Sequence, residues 1–482
     1  MVSIFIFVPL YIRYLGIEDY AVIGFYVLLL GVISFADSGM SSAIIKEFAI
    51  DQTSLYKYSV LRKIENLYWS ICIILCISIV LCSNLIAGEW LTSDTISRKD
   101  LTYYVILIDI GVIFQLLSSL YYGSLFGLDE QVKANLAQII WSFFKSAVVI
   151  LLFFIIKPTL EVYLIWQIIC NVLYVSVLRF MTIQKLKKNG EELRVVLSGI
   201  PSRILKYIGG MTLIAIISAV NTQADKIITS SFFSLKIFGY YNIASILAQI
   251  PVALSTPLSL FVFPLFSKFS YENNNKLDIS FDKISFLLSL LVIPSTVLLI
   301  IYAKEFIVLW AGATIDNILL PHIVIALRML VLGSLFLALQ FPLFYLLLSK
   351  NETRYTIYQG GIQIIIGLPL LYFCASLYGL RAVAIPWIFI NFGSLVYLTI
   401  VCFRKYIKIY FLTHFVKNIL THTVITVPIC LLFYYLYNEI FNNFYIIVVF
   451  SGLLSILGII VFNNLRNNHK ISDIKNIYNF PQ

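Results

Sequence analysis

Apolar residues fill this chain in long runs separated by short polar stretches. The runs are approximately 1–13, 20–44, 65–87, 103–126, 135–156, 160–182, 207–230, 239–266, 284–303, 321–348, 355–377, 382–403, 419–437 and 444–462. Most have the roughly 18 or more residues that a helix needs to cross about 30 Å of hydrocarbon. They do not alternate apolar and polar in segments of about ten, as the strands of a closed barrel would. Helices remain, because only a helix satisfies its own backbone hydrogen bonds in lipid. The pattern predicts an all-α integral membrane protein of about 14 transmembrane helices. The first run is short, since only Val2 to Tyr11 is cleanly apolar before Arg13. It lacks the basic leader and small-residue cleavage site of a signal peptide and reads as a half-span or a truncated helix.

Composition sharpens this picture. Of 482 residues 60% are hydrophobic and only 12% charged, against about 25% charged in soluble proteins. The net charge of +10 raises nucleic acid or a membrane surface as partners, and its placement decides between them. Loops after even-numbered spans, with the C-terminal tail, hold 23 Lys and Arg, the odd loops hold 7, and 4 more lie within spans. Basic loops stay in the cytoplasm. The expectation is a multi-pass membrane protein with both termini cytoplasmic and no nucleic-acid partner. The seven cysteines form no CxxC, and the four histidines (His322, His414, His422, His469) show no metal-ligand spacing, so no metal or other cofactor is expected. With no Walker A loop, an ion gradient or the membrane potential is the expected energy source.

Several signatures recur. LGIEDY (Leu15–Tyr20) returns as LKIFGY (Leu235–Tyr240) after 220 residues, and Trp166 and Asn171 find Trp387 and Asn391 at 221 and 220. YGSLFGLDEQ from Tyr122 matches YLLLSKNETR from Tyr345 at 223. The offset spans six helices, an even number, so the halves are expected to be parallel repeats about an axis along the membrane normal, an arrangement that places a cavity between two bundles. The expected organisation is a six-helix bundle at 1–183, a cytoplasmic linker at 184–206, a second pseudo-symmetric six-helix bundle at 207–404, and two additional helices with a tail at 405–482.

PLYIRYLGIEDYAVIGF, FADSGMSSAIIKEFA, LFGLDEQVKANLAQI, NTQADKIITSSFFSLKIFGYYNIA, YAKEFIVLWAG and LYGLRAVAIPW follow one another in order. Together they resemble the polysaccharide-exporter branch of the multidrug/oligosaccharidyl-lipid/polysaccharide superfamily, which includes the Wzx-type O-antigen flippases. The resemblance covers about residues 9–400. It implies two six-helix bundles that move an undecaprenyl-diphosphate-linked oligosaccharide outward, alongside a glycan polymerase and a chain-length regulator. The short first helix and the two extra C-terminal helices depart from that pattern. Lipid II flippases share the extra pair.

Such a cargo carries a diphosphate, a glycan and an apolar tail, so its path needs cations. Intramembrane charges cost about 2.5–3.5 kcal/mol each on insertion scales and are functional candidates by default. Arg328 has no acid within four residues, and Lys145 is the other deep cation; each either contacts cargo or pairs structurally. Asp109 is the deepest acid, either an ion-coupling site or the partner of Lys145 on the next helix. Asn221, Gln223, Asp225 and Lys226 form the most polar patch within any span, either a gate or headgroup contact or a helix-packing end. The resemblance implies a gating or coupling role for Asp37 and matches Arg13 and Lys46 to basic positions of the family. Pro251, Pro257 and Pro264 in the eighth span and Pro294 in the ninth mark expected kinks.

These features point to a flippase without enzymatic activity, loading a lipid-diphosphate glycan from the cytoplasm by alternating access. A lipid II or multidrug exporter of the same fold is the near alternative. A glycan polymerase or ligase is a more distant one, since every odd loop is short and poor in arginine, and a channel would need a filter that the chain does not display. Alkaline phosphatase fused at residue 157 or 236 is expected to be active outside the cell, and fused at residue 350 or 408 to be inactive. The reverse pattern would invert the orientation.

Overall fold

The computed structural model of the chain describes residues 2–49, 53–187, 195, 199–272, 274–312, 315–350, 352–439 and 443–466. The C-terminal tail beyond residue 466, and residues 188–194 and 196–198 of the expected linker, lie outside these. Among the described residues the chain is helical without strands. In order come α1 (Val2–Leu15), α2 (Ile17–Ala49), α3 (Ser54–Leu85) continued by a π-helical turn at Ile86–Trp90, α4 (Arg98–Gly127), α5 (Gln131–Ile155), α6 (Leu160–Lys187) and α7 (Ser202–Phe232). Then follow α8 (Leu235–Ala248), α9 (Ile250–Glu272), α10 (Asn274–Ile301), α11 (Ala303–Ala311), α12 (Leu320–Leu339), α13 (Phe341–Ser349), α14 (Thr353–Tyr378), α15 (Leu380–Val383) and α16 (Ile385–Lys405). The chain ends with α17 (Phe411–Phe415), a second π turn at Val416–Leu420, α18 (Thr421–Glu439) and α19 (Phe444–Arg466).

Eleven stretches among the described residues are long and apolar enough to cross a membrane, against about 14 expected. α2 and α7, of 33 and 31 residues, have the length, and α1 contributes the shorter apolar stretch Ile6–Leu15. Faces that would be impossible in water support this reading. Ile74, Leu81, Phe154, Ile155 and Ile365 are each more than 60% exposed, which only hydrocarbon tolerates at this density.

Three spans are broken where the sequence pattern runs on. The eighth divides at Gln249, the tenth at Gln340 and the twelfth at Ala384, and Pro251, Pro342 and Pro386 each stand two residues beyond the break. A proline lacks the N–H that would continue the ladder, and its ring opposes the preceding turn. The ninth span divides at Tyr302, between α10 and α11, whereas Pro257, Pro264 and Pro294 lie inside continuous helices. At the tenth-span break Gln340 supplies the missing satisfaction, its Nε2 donating to the carbonyls of Phe336 at 3.1 Å and Asn391 at 3.0 Å.

The chain forms two compact units, Met1–Asn242 with Trp310–Thr314, and Ile243–Leu309 with Ile315–Gln482. In the first, α4 is the central helix, packing on α2, α3 and α6 through a face that includes Val105, Ile108, Leu117 and Leu120. α7 lies along α2. At the α4–α5 turn, where Asp129 adopts φ 59, Glu130 takes Lys185 at 2.6 Å and Lys133 at 2.9 Å. Lys185, then Lys133, holds its carboxyl down to about 2; this clamp is complete above the ordinary carboxylate range and is lost as pH falls toward 2. In the second unit α18 and α19 pack on each other and on α10.

Close approach of α2 and α4 depends on Gly127, where an added Cβ would meet Phe48 Cβ at 2.6 Å and the Ile45 carbonyl oxygen at 2.7 Å. Because part of that clash is with backbone, Gly127→Ala is expected to cost about 1–3 kcal/mol. A lower unfolding temperature of the detergent-solubilised protein would register it, and an unchanged one would refute the tight contact.

Candidate functional site

The first unit encloses a polar centre around Lys145. Its ammonium lies 3.3 Å from Gln115 Oε1 on α4 and 3.5 Å from Asn171 Oδ1 on α6. It also stands over the rings of Trp141 at 4.6 Å and Tyr26, on α2, at 5.6 Å. Asn171 Nδ2 donates to Gly111 O at 2.9 Å and to the Tyr26 hydroxyl at 3.1 Å. Tyr26 in turn donates to Gln115 Oε1 at 3.3 Å. Trp166 Nε1 fixes the α5 backbone by donating to the Lys145 carbonyl at 3.1 Å. Among the described residues no carboxylate touches this ammonium; amide dipoles and ring faces hold it.

The expected pairing of Lys145 with Asp109 is therefore not made, and helix geometry explains why. Gly111 and Gln115 are one turn apart on the α4 face toward Lys145, while Asp109, two residues before Gly111, points about 200° away. It faces α3, where the Cys72 and Cys76 thiols lie beside it. Asp109 is fully buried; the Cys76 thiol is the hydrogen-bonding group beside its carboxylate, and neither oxygen makes a bond of ordinary length among the described residues.

α3 presents one polar face along this acid. Glu65, Tyr68, Cys72 and Cys76 follow one another at spacings of three and four, the spacing of one helix face. Glu65 accepts from Tyr121 at 2.7 Å, Arg62 at 2.9 Å and Arg179 at 3.3 Å. Tyr68 donates to buried Asp37 on α2. Cys72 lies near both Asp37 and Asp109. The structure thus brings Asp37 and Asp109 to one α3 face, and Lys145 to a separate centre.

The remaining candidates are dispersed. In α7 the Asp225 carboxylate accepts from Tyr241 at 2.9 Å and has Lys226 at 3.6 Å. Gln223 lies against Gly31 of α2, and Asn221 is half-buried. Lys46 is exposed with its ammonium 4.6 Å over Tyr207. Arg13 is exposed in the last turn of α1. In the second unit Arg328 is exposed, its Nε donating to the Ile300 carbonyl of α10 at 3.0 Å.

The second unit has a polar centre of its own, which sequence reasoning missed. Gln359 Nε2 donates to Gln340 Oε1 at 2.9 Å and Gln363 Nε2 to Ser394 Oγ at 2.8 Å. Gln359, Gln363 and Ser394 line a groove of about 180 Å³ between α14 and α16. The recurring Trp and Asn mark both centres. Asn171 belongs to the Lys145 cage, and the Asn391 carbonyl accepts from Gln340. Tyr26, Gln115 and Trp141 carried no signal beyond being polar or aromatic within apolar runs.

The family described as "Polysaccharide biosynthesis protein" matches residues 11–319. No curated protein matches the sequence. Among solved structures, the lipid II flippase MurJ in its inward closed conformation is similar over 96% of this chain and 98% of that one, with TM-score 0.74 and 18% identity. An inward-facing multidrug resistance MATE family transporter of the MOP superfamily covers 82% of this chain and 91% of its own, with TM-score 0.65 and 17% identity. A MOP superfamily transporter from Pyrococcus furiosus gives TM-score 0.52 at 17% identity, over 83% and 92%. At these identities the likeness is one of fold.

Asp109 separates a functional acid from a structural one. A buried carboxylate with only a thiol beside it costs stability, so Asp109→Leu is expected to raise the unfolding free energy by about 1–3 kcal/mol while export falls. A variant that is less stable would mean the carboxylate has a partner; one that is more stable and fully active would remove it from function.

Proposed function

The chain belongs to the polysaccharide biosynthesis protein family, and from that premise we propose that it is a flippase for an undecaprenyl-diphosphate-linked oligosaccharide repeat unit. The observation that carries this reading is the coverage of the fold likeness. The MATE transporter leaves about a fifth of the chain unmatched, whereas the lipid II flippase matches 96% of it, so a lipid-linked cargo is favoured over a free drug. The family adds the glycan. The repeat unit, of O-antigen, capsule or similar, is loaded from the cytoplasmic face of the bacterial plasma membrane and released outside by alternating access. A proton or sodium gradient or the membrane potential supplies the energy, and a glycan polymerase and chain-length regulator act on the product.

Arg328 is the strongest candidate for the cargo diphosphate. A guanidinium has five donors, and the hydrogen bond it makes to protein takes one, to Ile300, which leaves a fork that fits phosphate oxygens. Lys145 is already caged inside the first unit, so its role is to set the potential of that interior, together with Asp37 and Asp109 as coupling groups. Lys226, Arg13 and Lys46 are secondary cationic contacts, and Asn221, Gln223 and Asp225 a gate beside them. A lipid II flippase of the same fold is the second reading, favoured by the same coverage.

Deletion of the gene is expected to accumulate full-length lipid-linked repeat units on the inner face. Units that are translocated but unpolymerised would point to a polymerase, and rescue of a strain lacking its lipid II flippase would favour the second reading. Arg328→Ala is expected to lower export at least tenfold, since a charge-assisted contact is worth about 1.5–3 kcal/mol, and Lys145→Ala is expected to impair it at normal protein level. Full activity in both would remove the cationic path.

A further inference from the structure

The two C-terminal helices carry a polar line that the transport reading does not use. His414, Asn418, His422, Thr426, Cys430 and Tyr434 stand at intervals of four along α17, the π turn and α18. His422, Thr426 and Cys430 are fully buried and Asn418 is 1% exposed. Twenty residues of helix rise about 30 Å, the thickness of the hydrocarbon core. The line therefore crosses the membrane.

It meets a second polar line on α10 and the turn beyond it. At one end Asp282 accepts from Lys417 at 2.5 Å and Asn418 Nδ2 at 2.9 Å, with His414 Nδ1 at 3.0 Å. Ser285 and Ser289 follow along α10, and with His414 and Asn418 they line a cavity of about 50 Å³. A water needs about 10–15 Å³ by this measure, so the cavity has room for several. His422 comes next, its ring edge-on to Phe286 at 4.9 Å, with the Ser289 backbone the polar group beside it. Thr426 and, on α10, Thr296 lie deeper. Cys430 packs with Ile293 and Val297, and Ser455 of α19, 3.7 Å from its sulfur, with Ser451 carries the polar line past it. At the far end Tyr434 donates to Glu305 at 3.5 Å beside Tyr302.

Partners are what this line lacks. Of twelve buried side-chain polar atoms that make no hydrogen bond of ordinary length among the described residues, seven lie here: Thr296 Oγ1, Tyr302 Oη with Ser451 beside it, Glu305 Oε2, Asn418 Oδ1, both nitrogens of His422 with the Ser289 backbone beside them, and Thr426 Oγ1. A helix pair that served only to anchor the chain would bury apolar side chains there, because polar groups inside a bilayer are costly. A line of unsatisfied donors and acceptors beside a water-sized cavity is what a chain of ordered waters requires. The π turn lies within this stretch, and such turns recur at functional sites.

We propose that the α10–α18 seam is a water-lined proton path through the second unit, with His422 its central relay. A neutral imidazole takes a proton on one nitrogen and releases one from the other, so the ring returns neutral with its tautomer exchanged and no co-reactant is consumed. The titratable groups facing His422 along the seam are Asp282 from α10, His414 and Lys417 on its own stretch, and Cys430, Tyr434, Tyr302 and Glu305 on the far side. α19 contributes the hydroxyls of Ser451 and Ser455. On the orientation expected from the basic loops, Lys417 marks the cytoplasmic mouth.

The test needs no lipid-linked cargo, so its failure and the failure of the flippase reading are separate results. Purified full-length protein is reconstituted in potassium-loaded liposomes containing a trapped pH dye, and valinomycin imposes an inside-negative potential. The wild type is expected to acidify the lumen at least fivefold faster than protein-free liposomes. His422→Phe, which keeps a ring against Phe286, is expected to fall to the protein-free rate, and Thr426→Val, isosteric and elsewhere on the seam, to lose most of the flux. Should His422→Phe fail to reconstitute, Thr426→Val decides alone. Wild-type flux equal to that of empty liposomes, or wild-type flux retained by the variants that reconstitute, overturns the proposal.

Discussion

Hydrocarbon offers no hydrogen bonds, and most of what is distinctive in this molecule is a response to that. A polar side chain placed inside a span must be satisfied by its own helix's carbonyls, by another helix or by water. Gln340, Asn391 and Gln359 find partners on other helices at the break in the tenth span, and Tyr26, Gln115, Asn171 and Lys145 do so in the first unit. Each group of partners comes from several helices, so it fixes their relative rotation as well as satisfying itself. The apolar faces of α3, α5 and α14 carry no such information, and they are the faces left toward lipid.

Most of the architecture was legible because it rests on one-dimensional signals. Apolar run length marks the spans, and Pro251, Pro342 and Pro386 each stand two residues beyond a break, whereas the break at Tyr302 has no such mark. The site was less legible, because partnership across a bundle depends on which way a residue points. Asp109 and Lys145 sit at similar depth on neighbouring helices and invite pairing, yet a two-residue step from Gly111 turns the carboxylate toward α3. The seam of α18 was present as a four-residue interval. His414 and His422 show no metal-ligand spacing, and nothing in α18 itself says that α10 opposes it with Asp282, Ser285 and Ser289.

The recurring halves share scaffolding and differ in charge. Trp166, Trp387 and the Asn171 amide tie helices within their own units, and the Asn391 backbone carbonyl does so by accepting from Gln340. Gly333 allows a close neighbour, since an added Cβ there would meet the Trp387 ring at 2.2 Å. The first centre is built around an ammonium and the second around neutral glutamines.

The cage of Lys145 has a mechanical consequence. A charge matched by a nearby opposite charge contributes no net force when the pair moves together, but an ammonium held by dipoles and ring faces does. While Lys145 is protonated, α5 therefore carries a handle for the transmembrane voltage. Moving one elementary charge across 100 mV is worth about 2.3 kcal/mol, so a displacement through a tenth of the field does about 0.2 kcal/mol of electrical work and is lost in thermal noise. A displacement through half the field does about 1 kcal/mol, enough to shift two populations severalfold. Voltage can bias this helix only if its cycle is a large stroke.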